Sequence, residues 1–246
     1  MRCVPKINGV YWLCLALASL FGANAGDFLA GGLGLGPLGG LAVLAAGLVG
    51  VFLGERLLKQ TGALSFWAAI ALIGAAAANV ADAFHEAGVR FATSVPVACL
   101  LLAFMVIAWR SRAPSPEEQG FIPVTGYYWL TMLVAGVLGT VAGDAASYPL
   151  GFGNFGAMVA FAIPLTFLLA IGRHGLYTDL GFYWLAVVFI RAAGTAAGDL
   201  LTHGLHGIAL CTALSGIAFA AFAVVAYELR KGNKRRQVRA VGEGMP

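Results

Sequence analysis

Charge is what this sequence has least of. Asp, Glu, Lys and Arg make up 11% of its 246 residues, while 60% are hydrophobic and the mean hydropathy is +0.87. That leaves too little polar surface to cover a water-soluble globule of this size, so the chain reads as an integral membrane protein. Cysteine is also sparse: Cys3, Cys14, Cys99 and Cys211 lie far apart and form no CxxC pair, which excludes a zinc knuckle or a disulfide framework and leaves those within spans as apolar packing. There is no HExxH and no nucleophile–base pair, so no enzyme and no cofactor is expected. No ten-residue alternation of an outer-membrane barrel occurs either.

What is present in abundance is long apolar runs. They cover roughly 9–28, 36–54, 64–84, 91–109, 127–147, 151–171, 181–202 and 207–228, each near the ~20 residues that a spanning helix needs. The expected fold class is therefore all-α, with eight transmembrane helices in a lipid bilayer. The 34 glycines suit helices whose backbones approach closely in lipid. Of the fifteen Lys and Arg residues, thirteen fall on the side of the N-terminus: Arg2, Lys6, Arg56, Lys59, Arg110, Arg112, Arg173 and the six in the tail RKGNKRRQVR. Only Arg90 lies opposite, and Arg191 is inside a span. By the positive-inside rule both termini are cytoplasmic. The basic tail reads as a topology and headgroup determinant, with no nucleic-acid partner.

The spans are repeated. Four helices open on an aromatic–Trp pair and reach an Asp fifteen positions after the Trp: Trp12 to Asp27, Trp67 to Asp82, Trp129 to Asp144 and Trp184 to Asp199. Each is followed by a second apolar helix and a terminal arginine. This divides the chain into units 7–59, 60–113, 124–175 and 176–230, with a linker at 114–123 between the halves and a basic tail at 231–246. Every unit has two spans, so all four point the same way, which implies an axis along the membrane normal. Unit 1 and unit 3 stand 117 residues apart, as do units 2 and 4, so the chain reads as a duplicated half that is itself duplicated.

These tryptophans, set in tandem two-span units over nearly all of residues 7–230, resemble a family of bacterial membrane proteins built from four copies of a repeat of unknown function. The resemblance implies the architecture and a bacterial inner-membrane location; it implies no activity. It also bears on FGANAGD, residues 21–27, which after a basic start and an apolar run has the anatomy of a cleavable signal peptide. YWLCLALASLFGANAGD aligns in register with YWLTMLVAGVLGTVAGD and YWLAVVFIRAAGTAAGD, so the expectation is a retained first span; cleavage before Gly26 is the alternative.

Five and one residues before each Asp stand Gly22 and Gly26, Ala77 and Ala81, Gly139 and Gly143, Gly194 and Gly198, a small-xxx-small packing seam. Asn24 and Asn79 precede their Asp by three, Thr140 and Thr195 by four, spacings that place each pair on one helical face. Arranged around a central axis, four Asp at one depth would form a ring with Asn and Thr oxygens beneath, a construction suited to cations. Four carboxylates in a low-dielectric space cannot all be ionised cheaply, so some must be protonated, paired or cation-bound. Arg191, two turns before Asp199, is the expected internal counter-charge; the alternative is that it favours an anionic ligand, which weakens an open cation pore. The leading expectation is a small transporter or channel-like protein for a divalent metal or other small cation. The alternative is a membrane scaffold whose Asp, Asn, Thr and Arg cluster is structural. His85, Glu86, His203 and His206 near the outer connections form a second candidate, a transition-metal or pH-responsive group. GLGLGPLGG contains G-x-G-x-x-G without a preceding strand and is set aside as a dinucleotide site.

Overall fold

The structure is a computed structural model describing residues 4–58, 62–111, 122–172, 179–204 and 207–243. Among the described residues, eight α-helices follow in chain order: α1 (Gly9–Asp27), α2 (Gly36–Leu58), α3 (Ala63–Glu86), α4 (Phe91–Arg110), α5 (Gly126–Ser147), α6 (Gly153–Ile171), α7 (Leu180–Gly204) and α8 (Ile208–Glu243). Asn8 and Thr125 start α1 and α5 by accepting hydrogen bonds from the Tyr11 and Tyr128 N–H groups, at 3.0 and 3.3 Å, which satisfies donors a helix start leaves open. Gly34 and Gly36, and 117 residues on Gly151 and Gly153, turn the chain between the helices of units 1 and 3 with positive φ, a conformation glycine adopts without steric cost. The linker 114–123 and the tail beyond Glu243 fall almost wholly outside the described residues.

All eight helices are long and apolar enough to cross a membrane. They form two concentric layers. α1, α3, α5 and α7 are the inner ring, 50–67% of each span being buried within the protein, against 6–22% for α2, α4, α6 and α8. The outer helices present Leu38, Leu100, Phe104, Ile163, Phe167 and Ile217 to the surroundings, as a lipid-facing layer must when no water is present to drive apolar groups inward.

The inner ring is cyclic: α1 packs on α3, α3 on α5, α5 on α7 and α7 back on α1. Each outer helix packs chiefly on the inner helix of the next unit, α2 on α3, α4 on α5 and α6 on α7; α8 of the last unit closes the circle on α1. The arrangement is pseudo-fourfold, so a two-helix unit cannot complete its own packing and the ring is the cooperative entity. The small-residue seams make the inner contacts. A Cβ on Gly22 would lie 3.1 Å from the Gly74 and Ala75 backbone of α3, and one on Gly143 would lie 2.9 Å from the Ala192 carbonyl of α7. Gly26 faces Ala78, Gly139 faces Ala192, and Gly194 and Gly198 face Ser19 and Asn24 of α1. Ala77 and Ala81 pack with Val137 and Val141 between α3 and α5.

The aromatic–Trp pairs close the end of the ring where the first helix begins, here termed the terminal side. Tyr11, Phe66, Tyr128 and Tyr183 form a four-membered circle, neighbouring ring centroids 6.2–6.4 Å apart. Each tryptophan leans on the aromatic of the preceding unit: Trp67 on Tyr11, Trp129 on Phe66, Trp184 on Tyr128 and Trp12 on Tyr183, at 5.4–5.8 Å. Trp12, Trp67 and Trp184 are thus buried in protein. Their indole faces find better partners in the neighbouring unit's rings than in headgroups. Tyr183 sits at the centre of a phenol chain, its hydroxyl 2.6 Å from that of Tyr11 and 2.7 Å from that of Tyr128.

Candidate functional site

At the distal end of the inner ring the helices enclose a cavity of about 640 Å³. Asp27, Asp82, Asp144 and Asp199, one from each inner helix, all line it; each is half-buried. The common fifteen-residue offset from the tryptophan circle explains why: equal helical rise from one closed ring brings four side chains to one level. Electrostatically the carboxyls are neighbours, Asp27 of Asp82 and Asp199, and Asp144 of all three others. Four residues nearer the terminal side, Ala23, Ala78, Thr140 and Thr195 form the floor, and the two threonine hydroxyls are hydrogen-bonded at 3.3 Å.

The wall is not fourfold. After Asp27, α1 continues as a π-helical turn, Phe28–Gly32, and its Ala30 and Gly31, with Gly36 and Pro37 of α2, fill one side. π-turns are rare and often mark functional sites. His85, Glu86 and Phe91 of unit 2 and Tyr148 of unit 3 complete the rim, with the His85 ring stacked on Phe91 at 5.5 Å. Burial first, then the Asp199 and Asp144 carboxyls, raise the Tyr148 phenol pKa above its ordinary value. Tyr148 and Glu86 each follow an Asp by four, so the rim repeats the register of the Asp ring one turn further out. That register was a readable signal for both, and for the floor residues Ala23 and Ala78.

Three sequence expectations are corrected by the geometry. Asn24 and Asn79 do not offer oxygens to the cavity. Asn24 donates to the Ser215 hydroxyl of α8 at 3.2 Å. The Asn79 amide, in the orientation that satisfies both groups, donates to the Gly26 carbonyl at 3.0 Å and accepts from the Leu41 N–H of α2 at 3.3 Å. A residue three before the Asp is rotated by about 60° to one side and a residue four before by about 40° to the other, at about 100° per residue. The threonines therefore turn to the cavity and the asparagines to the outer helices, where an amide's donors and acceptor are worth most as ties.

Arg191 is likewise not the partner of Asp199. Side chains lean toward the N-terminus of their helix, so Arg191 leans away from Asp199 toward the terminal side. It is buried, it donates to the Ile70 carbonyl at 3.2 Å, and the ionisable groups it interacts with are Tyr128, Tyr183 and Tyr11.

The histidine group also separates. His85 and Glu86 are at the rim, His203 is exposed with Nδ1 2.7 Å from its own helix's Asp199 carbonyl, and His206 lies outside the described residues. Among the described residues no three His, Cys, Asp or Glu side chains converge closely enough to share one metal ion. The four Asp thus surround a space instead of converging on a point.

Two concentric rings of spanning helices around an acidic cavity define a multi-pass membrane protein. Residues 10–61 and 182–231, which hold the helix pairs α1–α2 and α7–α8, match the family described as Repeat of Unknown Function (DUF347). No curated protein and no solved structure matches it.

Proposed function

We propose that the protein is a transporter that takes a small cationic solute into the acidic cup, and that it is neither an open channel nor an enzyme. The observation that carries this reading is the presence of all four repeat Asp residues on one cavity of about 640 Å³, within the ~300–1,000 Å³ usual for small-molecule sites. A ring of carboxyls wide enough to enclose a space suits a small organic amine or a hydrated divalent cation better than a bare ion, which needs several oxygens within direct coordination distance. The rim rings of Tyr148 and Phe91 add faces on which an ammonium group is attracted. The bias of Lys and Arg toward the terminal side supports an inner-membrane orientation with both termini cytoplasmic and the cup facing outward.

The test is calorimetric titration of the purified protein with Mg²⁺, Mn²⁺, 1,4-diaminobutane and spermidine, followed by uptake into proteoliposomes. Saturable binding by one of these, lost in single Asp→Asn variants that remain monodisperse, supports the reading. Absence of binding across the panel, with stability lost in the same variants, supports the second reading. That reading is a scaffold, and it draws on the Asn24 and Asn79 ties between helices.

A further inference from the structure

Arg191 belongs to one register of the repeat, eight residues before the Asp, where the other units carry Ser19, Gly74 and Gly136. In the inner ring α7 has α1 and α5 as neighbours, so α3 is its diagonal partner. Arg191 nevertheless hydrogen-bonds the Ile70 carbonyl of α3, so its side chain crosses the pseudo-fourfold axis. It can do so because the residue it crosses to is Gly74: a Cβ there would meet the guanidinium nitrogen Nη1. Gly136 of α5 leaves room beside Nε, 3.9 Å from where its own Cβ would be. The guanidinium therefore lies between the Thr140–Thr195 floor of the cup and the phenol chain of Tyr11, Tyr183 and Tyr128. Ser19, in the same register, is buried and its hydroxyl has no partner among the described residues; nor does Arg191 Nε.

We infer that Arg191 is an axial plug with Gly74 and Gly136 as its socket, a selectivity element that makes the cup a dead end for cations. A fixed positive charge across the axis repels any cation that passes the carboxyls, and its bulk fills a register where the other three units carry Ser19, Gly74 and Gly136. The inference stands apart from the identity of the solute, and holds whether or not the cup binds one.

Accessibility of engineered thiols tests it. In a chain whose four native cysteines are replaced, Thr195→Cys reports on the cup and Ser19→Cys on the plug layer. Both are exposed in nanodiscs to 2-aminoethyl methanethiosulfonate, a small cationic thiol reagent, and residual thiol is counted after denaturation. The expected result is modification of T195C and protection of S19C while Arg191 is present. In R191G, or in R191S, which carries the residue of unit 1 at this register, S19C is modified as readily as T195C. Modification of S19C with Arg191 in place would overturn the plug, and so would its protection in whichever of the two variants runs monodisperse. If T195C is itself protected, the cup is closed at the distal face; that result overturns the plug as the boundary and the proposed function with it. Absence of solute binding with the S19C pattern intact sinks only the proposed function.

Discussion

Replacing Tyr183 by Phe should cost more than replacing either of the tyrosines it touches, and by a margin the structure sets. Tyr183 is the middle of the chain Tyr11–Tyr183–Tyr128, with hydroxyl separations of 2.6 and 2.7 Å, and all three side chains are buried. Removing an end hydroxyl breaks one hydrogen bond and leaves the middle phenol bonded to the other end. Removing the middle hydroxyl breaks both and strands two phenols in an apolar layer. With about 1 kcal/mol net per hydrogen bond and about 1–3 kcal/mol for a buried polar group left without a partner, Y11F and Y128F should each cost about 1 kcal/mol and Y183F about 3 kcal/mol or more. The assay is reversible unfolding in mixed micelles followed by tryptophan fluorescence, for the three single variants and the Y11F/Y128F double. The double should approach Y183F, because both leave phenol oxygens unsatisfied. Equal losses in the three single variants would refute the reasoning, since they would show that the hydroxyls act independently. Phe66 occupies the fourth place in the circle, so F66Y probes the same layer in reverse; a stabilised F66Y would mean that the circle has room for a fourth hydroxyl.

Further predictions concern the seams, the ties and the first helix. Gly22→Ala should destabilise by about 1–3 kcal/mol because its Cβ meets α3 backbone at 3.1 Å. Gly50→Ala, on the exposed side of α2 with nothing within 4 Å, should instead be neutral or stabilise by up to about 1 kcal/mol; the same unfolding assay separates them. Asn24→Ala should lower stability by about 1–3 kcal/mol through the lost tie to Ser215 while leaving cation titration of the cup unchanged, whereas Asp27→Asn should do the opposite. A chain begun at Gly26 should fail to give a monodisperse protein in size-exclusion chromatography, because it lacks Tyr11, Trp12 and the α1 surface on which α8 closes the ring. Intact-mass measurement of the protein isolated from membranes should accordingly retain Trp12.

Much of this architecture is legible in the chain. The scarcity of charge and the eight apolar runs determine a helical membrane protein, because a spanning segment must satisfy its own backbone hydrogen bonds. The identical Trp-to-Asp offsets determine that four carboxyls share one depth, because helical rise is constant; the small-xxx-small spacing determines which faces approach closely. Rotation about each helix axis was not legible. One residue of difference in spacing sends Thr140 and Thr195 to the cup and Asn24 and Asn79 to the outer helices, and only the packing of neighbours shows which side is inward. Direction was not legible either. Arg191 shares a face with Asp199 in sequence, yet the lean of helical side chains and the space at Gly74 carry its charge across the axis and away from the carboxyls. Nor could the chain show that each outer helix packs on the next unit, since repeats aligned in sequence carry no order around a ring. The sequence by itself determined the elements and their levels, which depend on local geometry. The tertiary structure alone decided which residues look inward and what closes the axis, because those depend on contacts between segments far apart in the chain.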